Sequence, residues 1–206
     1  MIIDLKTVPE VTDKRFSMVD DGAVEVETGE LLYGFIKRLK PTNVLSTGTY
    51  TGISDLFIAK GLQDNGFGHL TALEYEQVHI DRANKLWREA GVYEYITSVK
   101  TDSLQFQPDR QYQFMFLDTE LHLRFHELVK FFEYLDEGGY IFVHDMPRTL
   151  CQGNVNKDHP DFKNWPVGEL PPEFKYILNE GRLKSFYFCG ARGLVGFYKP
   201  HKDDFI

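Results

Sequence analysis

The sequence is poor in cysteine: Cys151 and Cys189 are the only two in 206 residues. Two thiols can pair, but they build no disulfide framework, so a reduced, cytoplasmic setting is the simpler expectation. Long apolar runs are also missing. No uninterrupted stretch approaches the roughly 18 residues of a membrane helix. The opening "MIIDLKTVPE" lacks the basic start and apolar run of a signal peptide. Basic charge is in deficit, with Lys and Arg numbering 23 against 31 Asp and Glu, for a formal net charge of -8. An acidic chain without a basic cluster is a poor partner for nucleic acid or an anionic membrane. The expected partner is a small molecule, and a homo-oligomer stays open. Neither an internal repeat nor a low-complexity linker divides the chain.

What is present alternates between two periods. Leu31, Leu32, Phe35, Ile36 and Leu39 share one face of a helix that Pro41 ends. "NVLSTG" reads as a short buried strand, and Ile53, Leu56, Phe57 and Leu62 as the next helix. "HLTALE" is a strand ending at Glu74. Ile80, Ala83, Trp87 and Ala90 form a helical face closed by Gly91. "YITSVKT" and the nearly all-apolar "YQFMFLD" are further strands, the second suited to burial on both faces. Leu121, Phe125, Leu128, Phe132 and Leu135 read as one helical stripe before the strand "GGYIFVHD". Residues 147–171 are polar and without period, which suits a loop over a site; residues 172–181 suit a short helix. "LKSFYFCG" and "GLVGFYKP" are strands whose short "GAR" link permits only an antiparallel pair. The whole is an α/β chain, a doubly wound and mostly parallel sheet with one antiparallel strand near its C-terminal end.

Ligands of such sheets bind at the carboxyl ends of the strands. Polar residues gather there: Gly48, Thr49, Tyr50, Gly52 and Ser54, then Glu74, Asp102 with Ser103, Asp118, and His144 with Asp145. The spacing of Gly48 and Gly52 is neither the G-x-G-x-x-G of a nicotinamide site nor a P-loop. Gly48 permits a sharp turn, and Gly52 permits close approach of a ligand to the helix start. Backbone N–H groups there, with Ser54, suit a carboxylate at the positive helix end. A tight turn whose glycines serve only packing stays open. Glu74 follows Gly52 by 22 residues (74 − 52), where an acid can accept both hydroxyls of a ribose.

In order and spacing, "VLSTGTYTGIS", "ALEYE", "TDS", "FMFLD", "GGYIFVHDM" and the closing "RGLVGFYKP" resemble the class I S-adenosylmethionine-dependent methyltransferases. They look closest to the small O-methyltransferases of the catechol type and the related group whose fifth strand ends in "HD". The resemblance covers about Thr28 to Pro200. It implies a seven-stranded Rossmann-like fold with helices on both faces. It makes 1–206 one domain, with an N-terminal arm over 1–27 and an active-site loop over 147–171. It also implies roles. The Gly48–Gly52 loop and Ser54 face the methionine part of the cofactor, Glu74 holds the ribose, and Asp102 and Ser103 lie by the adenine. Asp118 lines the site. In metal-dependent members an acid matching Asp118 and a later Asp-Asn pair hold a divalent cation. Here Asp118 and Asp145 match, 27 residues apart (145 − 118), but Met146 replaces the Asn. Ser46 replaces a common first-loop acid. Leu121 stands where catechol-type enzymes carry a catalytic lysine.

The chemistry this implies is methyl transfer from S-adenosylmethionine to a hydroxyl of a sugar or phenolic metabolite. The acceptor must lose a proton to a base or to a metal that lowers its pKa. Two carboxylates suit Mg²⁺ as an optional second cofactor, with Asp118 and Asp145 as ligands. His144 is a candidate base or third ligand, although a continuing strand would point it away from Asp145. His122 is the other candidate base; His126, one helical turn on, reads as structural, and His159 and Trp165 as loop residues that could touch substrate. A metal-independent N- or C-methyltransferase, and a cofactor binder without transfer, are the alternatives.

Overall fold

A computed structural model describes residues 17–20, 22–146, 171–188 and 192–201. The expected 147–171 loop save Pro171, Gly190 and Ala191 of the "GAR" link, and both cysteines lie outside these. The chain groups into two compact units, residues 1–102 and 103–206.

In the first unit, β1 (Asn43–Thr47), β2 (His69–Glu74) and β3 (Ile96–Lys100) are parallel. They alternate with α1 (Val26–Leu39), α2 (Ile53–Asn65) and α3 (Gln77–Glu89). α1 stops because Lys40 turns left-handed (φ 52°) and its N–H bonds back to the Ile36 carbonyl, directly before Pro41. α2 starts and stops at left-handed glycines, Gly52 (φ 81°) and Gly66 (φ 79°). α3 buries Ile80, Ala83 and Trp87, the face read from the spacing.

In the second unit, β4 (Tyr112–Leu117) pairs in parallel with β5 (Leu135–His144). α4 (Arg124–Phe132) links them. α5 (Pro172–Asn179) precedes β6 (Lys184–Phe188), and β7 (Leu194–Tyr198) runs antiparallel to both β5 and β6. The strand order is β3-β2-β1-β4-β5-β7-β6, the mostly parallel sheet with one reversed strand expected from the sequence.

The helical stripe needs a correction. Leu135 opens β5, pairing with Tyr112, and Leu121 sits in the turn before α4. The chain leaves the helix early because Tyr134 caps it, its N–H on Phe131 and its carbonyl taking the Tyr112 N–H. Left-handed Gly138 (φ 78°) then shifts the register, so that Phe114 pairs with Tyr140. The buried α4 face is Phe125, Leu128, Phe131 and Phe132.

Packing of α1 depends on Gly29. A Cβ there would sit 2.2 Å from the Phe57 ring of α2. Alanine gains about 1 kcal/mol of helix propensity over glycine, while overpacking a core costs about 1–3 kcal/mol. Sterics should win: Gly29→Ala is expected to lower the unfolding free energy in urea by up to about 2 kcal/mol, and a rise would show that α1 and α2 pack more loosely than this.

Candidate functional site

The predicted residues form two groups, one in each unit. In the first, three of five consecutive residues after β1 are left-handed: Gly48 (φ 74°), Tyr50 (φ 47°) and Gly52 (φ 81°). For tyrosine this conformation costs about 1–2 kcal/mol, so something must hold it. Glu74 does, through a bond from the Tyr50 N–H to its Oε2 at 2.8 Å. The Tyr50 ring also meets His79 edge-on, with centroids 4.9 Å apart. Glu74 Oε1 accepts the N–H groups of Tyr75 (2.8 Å) and Glu76 (2.9 Å). The acid read as a ribose ligand therefore also organises the turn. Three backbone donors leave it one lone pair of about four.

Ser46 and Thr49 are buried, and their hydroxyls have no hydrogen-bond partner among the described residues. Buried hydroxyls are normally satisfied, so these two suit a polar ligand at the loop. Ser54 is buried in the first turn of α2. Gly52 has a reason other than ligand approach. Its Cβ would lie 2.8 Å from both Ala83 Cβ and Trp87 Nε1, and Trp87 Nε1 donates to its carbonyl at 2.9 Å. Asp102, half-buried, follows the Thr101 N–H bond to the Glu74 carbonyl (2.9 Å).

In the second unit Ser103 is buried, and Lys130 Nζ donates to its carbonyl (3.1 Å) and to that of Leu104 (2.7 Å). Asp118 follows β4 directly, and β5 ends at His144. The strand does not continue through Asp145, which turns left-handed (φ 53°). The expectation that His144 and Asp145 point apart is thus overturned: His144 Nδ1 lies 3.2 Å from Asp118 Oδ1 and 3.6 Å from Asp145 Oδ1. Donor atoms of the three residues fall within 4.8 Å of one another, a group of a kind that can hold a metal ion.

A cation is already there. Arg124, whose side chain is 5% exposed, places Nη2 2.9 Å from Asp118 Oδ1 and Nη1 3.1 Å from Asp145 Oδ2. Its Nη1 donates to the His144 carbonyl (2.5 Å) and its Nε to the Thr119 carbonyl (2.8 Å). Arg192 Nε adds a contact of 3.4 Å to Asp145 Oδ1. Burial pushes the Asp145 pKa up most strongly, but His144, Arg124 and Arg192 together hold it below the ordinary carboxylate value. The stability this lends is present above the ordinary value and lost as pH falls through the lowered one. Met146 is buried, its N–H directed to the Gly193 carbonyl (3.4 Å).

Sequence reasoning missed Arg124 and Arg192. One signal was available for Arg124: it opens a helix, where a cation opposes the macrodipole. His122 and His126 are exposed and outside the group, and Leu121 is half-buried. His159 and Trp165 lie outside the described residues.

A family profile described as "Methyltransferase domain" matches residues 45–146. A caffeoyl-CoA O-methyltransferase of Stellaria longipes is 28% identical over 152 residues, covering 66% of this chain and 60% of its own length. The tapetum-specific methyltransferase 1 of Arabidopsis thaliana is 24% identical over 143 residues, with the same two coverages. The chain thus spans about 60% of the length of these curated relatives. Among solved structures, the O-methyltransferase TomG of Streptomyces achromogenes, in complex with SAM, has a TM-score of 0.66 at 18% identity, covering 88% of this chain and 83% of its own. An O-methyltransferase of Bacillus cereus, in complex with SAH, has a TM-score of 0.67 at 18% identity, covering 87% and 84%. With the strand order, the profile match and these relatives together, the chain has the fold of the class I methyltransferases, carries a match to a methyltransferase domain over residues 45–146 and is similar to the small O-methyltransferases.

Proposed function

We propose that the chain transfers a methyl group from S-adenosylmethionine to a hydroxyl of a small molecule, a sugar or a phenolic metabolite. The observation that carries this reading is the loop after β1. It is a left-handed turn fixed by Glu74, with the Ser46 and Thr49 hydroxyls buried and unpartnered among the described residues.

When bound, S-adenosylmethionine supplies the methyl group from its sulfonium. Gly48, Thr49, Tyr50, Gly52 and Ser54 are assigned to its methionine part, Glu74 to the ribose, and Asp102 and Ser103 to the adenine. Ser46 offers a hydroxyl in place of the usual acid, enough to bond an amine or a water. Methyl transfer needs alignment and exclusion of water more than covalent help. The acceptor's proton still needs a destination. His144 is assigned as that base, because Asp118 at 3.2 Å orients its ring, as a carboxylate orients a catalytic histidine. His122, exposed on the turn before α4, is the second candidate.

No step runs through a metal. The donor set is right in kind, but Arg124 already bonds both carboxylates. A cytoplasmic setting belongs to the same proposal. Among the described residues no helix is long and apolar enough to cross a membrane.

Two outcomes are expected. S-adenosylhomocysteine at a hundredfold over Kd adds about 2.7 kcal/mol of stability, a rise of roughly 5–10 °C in Tm for a chain of this size. A shift with NAD(H) and none with S-adenosylhomocysteine would refute the cofactor assignment. By titration calorimetry, Glu74→Ala should weaken S-adenosylhomocysteine binding about tenfold or more, since charge-assisted hydrogen bonds contribute about 1.5–3 kcal/mol. Unchanged affinity removes Glu74 from the site. Cofactor binding without label transfer to any hydroxyl acceptor would leave a binder, the reading that Leu121 and Met146 favour.

A further inference from the structure

We infer that Arg124 is a resident cation that takes the electrostatic place of a divalent ion between Asp118 and Asp145, so that the protein works without a metal. The inference rests on matching these two acids to the metal ligands of metal-dependent relatives. It does not depend on which acceptor is methylated.

The guanidinium touches both carboxylates and the backbone of His144. It contacts Asp118 at 2.9 Å and Asp145 at 3.1 Å, and it takes the His144 carbonyl at 2.5 Å. The two carboxylate oxygens are ones an ion would need. A hard cation such as Mg²⁺ favours about six oxygen ligands. What is left here is an imidazole and the second oxygen of each carboxylate, and Asp145 Oδ1, buried and without a hydrogen bond among the described residues, already faces Arg192 Nε at 3.4 Å. Charge tells the same way. Two carboxylates already face two guanidinium groups, Arg124 and Arg192, so little net negative charge draws in an ion.

Arginine is a durable substitute. It stays protonated at any working pH, and its planar fork matches two acceptors at once. Its Nε bond to the Thr119 carbonyl locks the plane (2.8 Å). The helix does not explain it, because the first turn of α4 disfavours a cation. The two carboxylates do. Arg124 is therefore a positioning residue: it fixes Asp118 and Asp145, and through Asp118 it fixes His144.

The test titrates Mn²⁺ into chelator-stripped full-length protein and follows free Mn²⁺ by electron paramagnetic resonance. The wild type is expected to leave the free signal unchanged up to millimolar metal. Arg124→Ala, which exposes three donors and their charge, should bind one Mn²⁺ at least about tenfold more tightly. Adding Asp118→Asn to that variant should abolish the gain. A wild type that binds one Mn²⁺ at micromolar concentration overturns the inference. So does a folded Arg124→Ala that gains no ion, or a gain that survives Asp118→Asn. If Arg124→Ala does not fold, Arg124→Gln replaces it, keeping hydrogen-bonding capacity without charge. If neither folds, the wild-type titration alone decides: binding overturns, no binding sustains. S-adenosylhomocysteine affinity is measured on the same wild-type sample. Its absence would strike the proposed function and leave the metal result standing.

Discussion

Arg124 between Asp118 and Asp145 is the contact on which the second half of the chain turns. One guanidinium joins the end of β4, the end of β5 and the start of α4, and Arg192 brings in the approach to β7. Breaking a buried charge pair from one side costs about 3–5 kcal/mol, because the remaining charge stays desolvated. Removing Arg124 would leave Asp118 with His144 alone and Asp145 with His144 and Arg192. The network also explains how Asp145 can keep a positive φ, a conformation that costs on the order of 1–3 kcal/mol and persists only where surroundings fix it. Local backbone and buried charge are mutually dependent here.

The first half solves a similar problem with different donors. Glu74 also ends a strand and is also buried, but backbone N–H groups hold it, not a guanidinium. By accepting the Tyr50 N–H it sets the shape of the loop after β1. A ligand meeting this loop encounters a turn already formed, and preorganisation lowers the entropic cost of binding. The two acids differ in what they can still do. Glu74 keeps spare acceptor capacity for a hydroxyl, whereas Asp118 and Asp145 are largely committed to cations and to His144.

Much of this was legible in the sequence because it is local. Val44 and Leu45 in β1, the Ile80–Trp87 face of α3 and the apolar "YQFMFL" of β4 announce their elements by period alone. The acids at strand ends follow from the parallel sheet. The failures are all cases where a distant partner decides. Leu135 fits a helical spacing as well as a strand, and only its pairing with Tyr112 separates the two. Gly52 looks like a ligand glycine until Trp87, 35 residues on, is seen to fill the space. His144 and Asp145 should alternate, but the strand ends between them. Arg124 reads as one more charge on a solvated helix, since burial of a cation leaves no periodic trace.

Protein, not metal, supplies the positive charge between Asp118 and Asp145. Anomalous diffraction from crystals grown with S-adenosylhomocysteine and millimolar Mn²⁺ tests it most directly. No anomalous peak is expected between the two carboxylates, with both Arg124 Nη atoms still within hydrogen-bond distance of them. A peak coordinated by Asp118 and Asp145, with the guanidinium displaced, would contradict it.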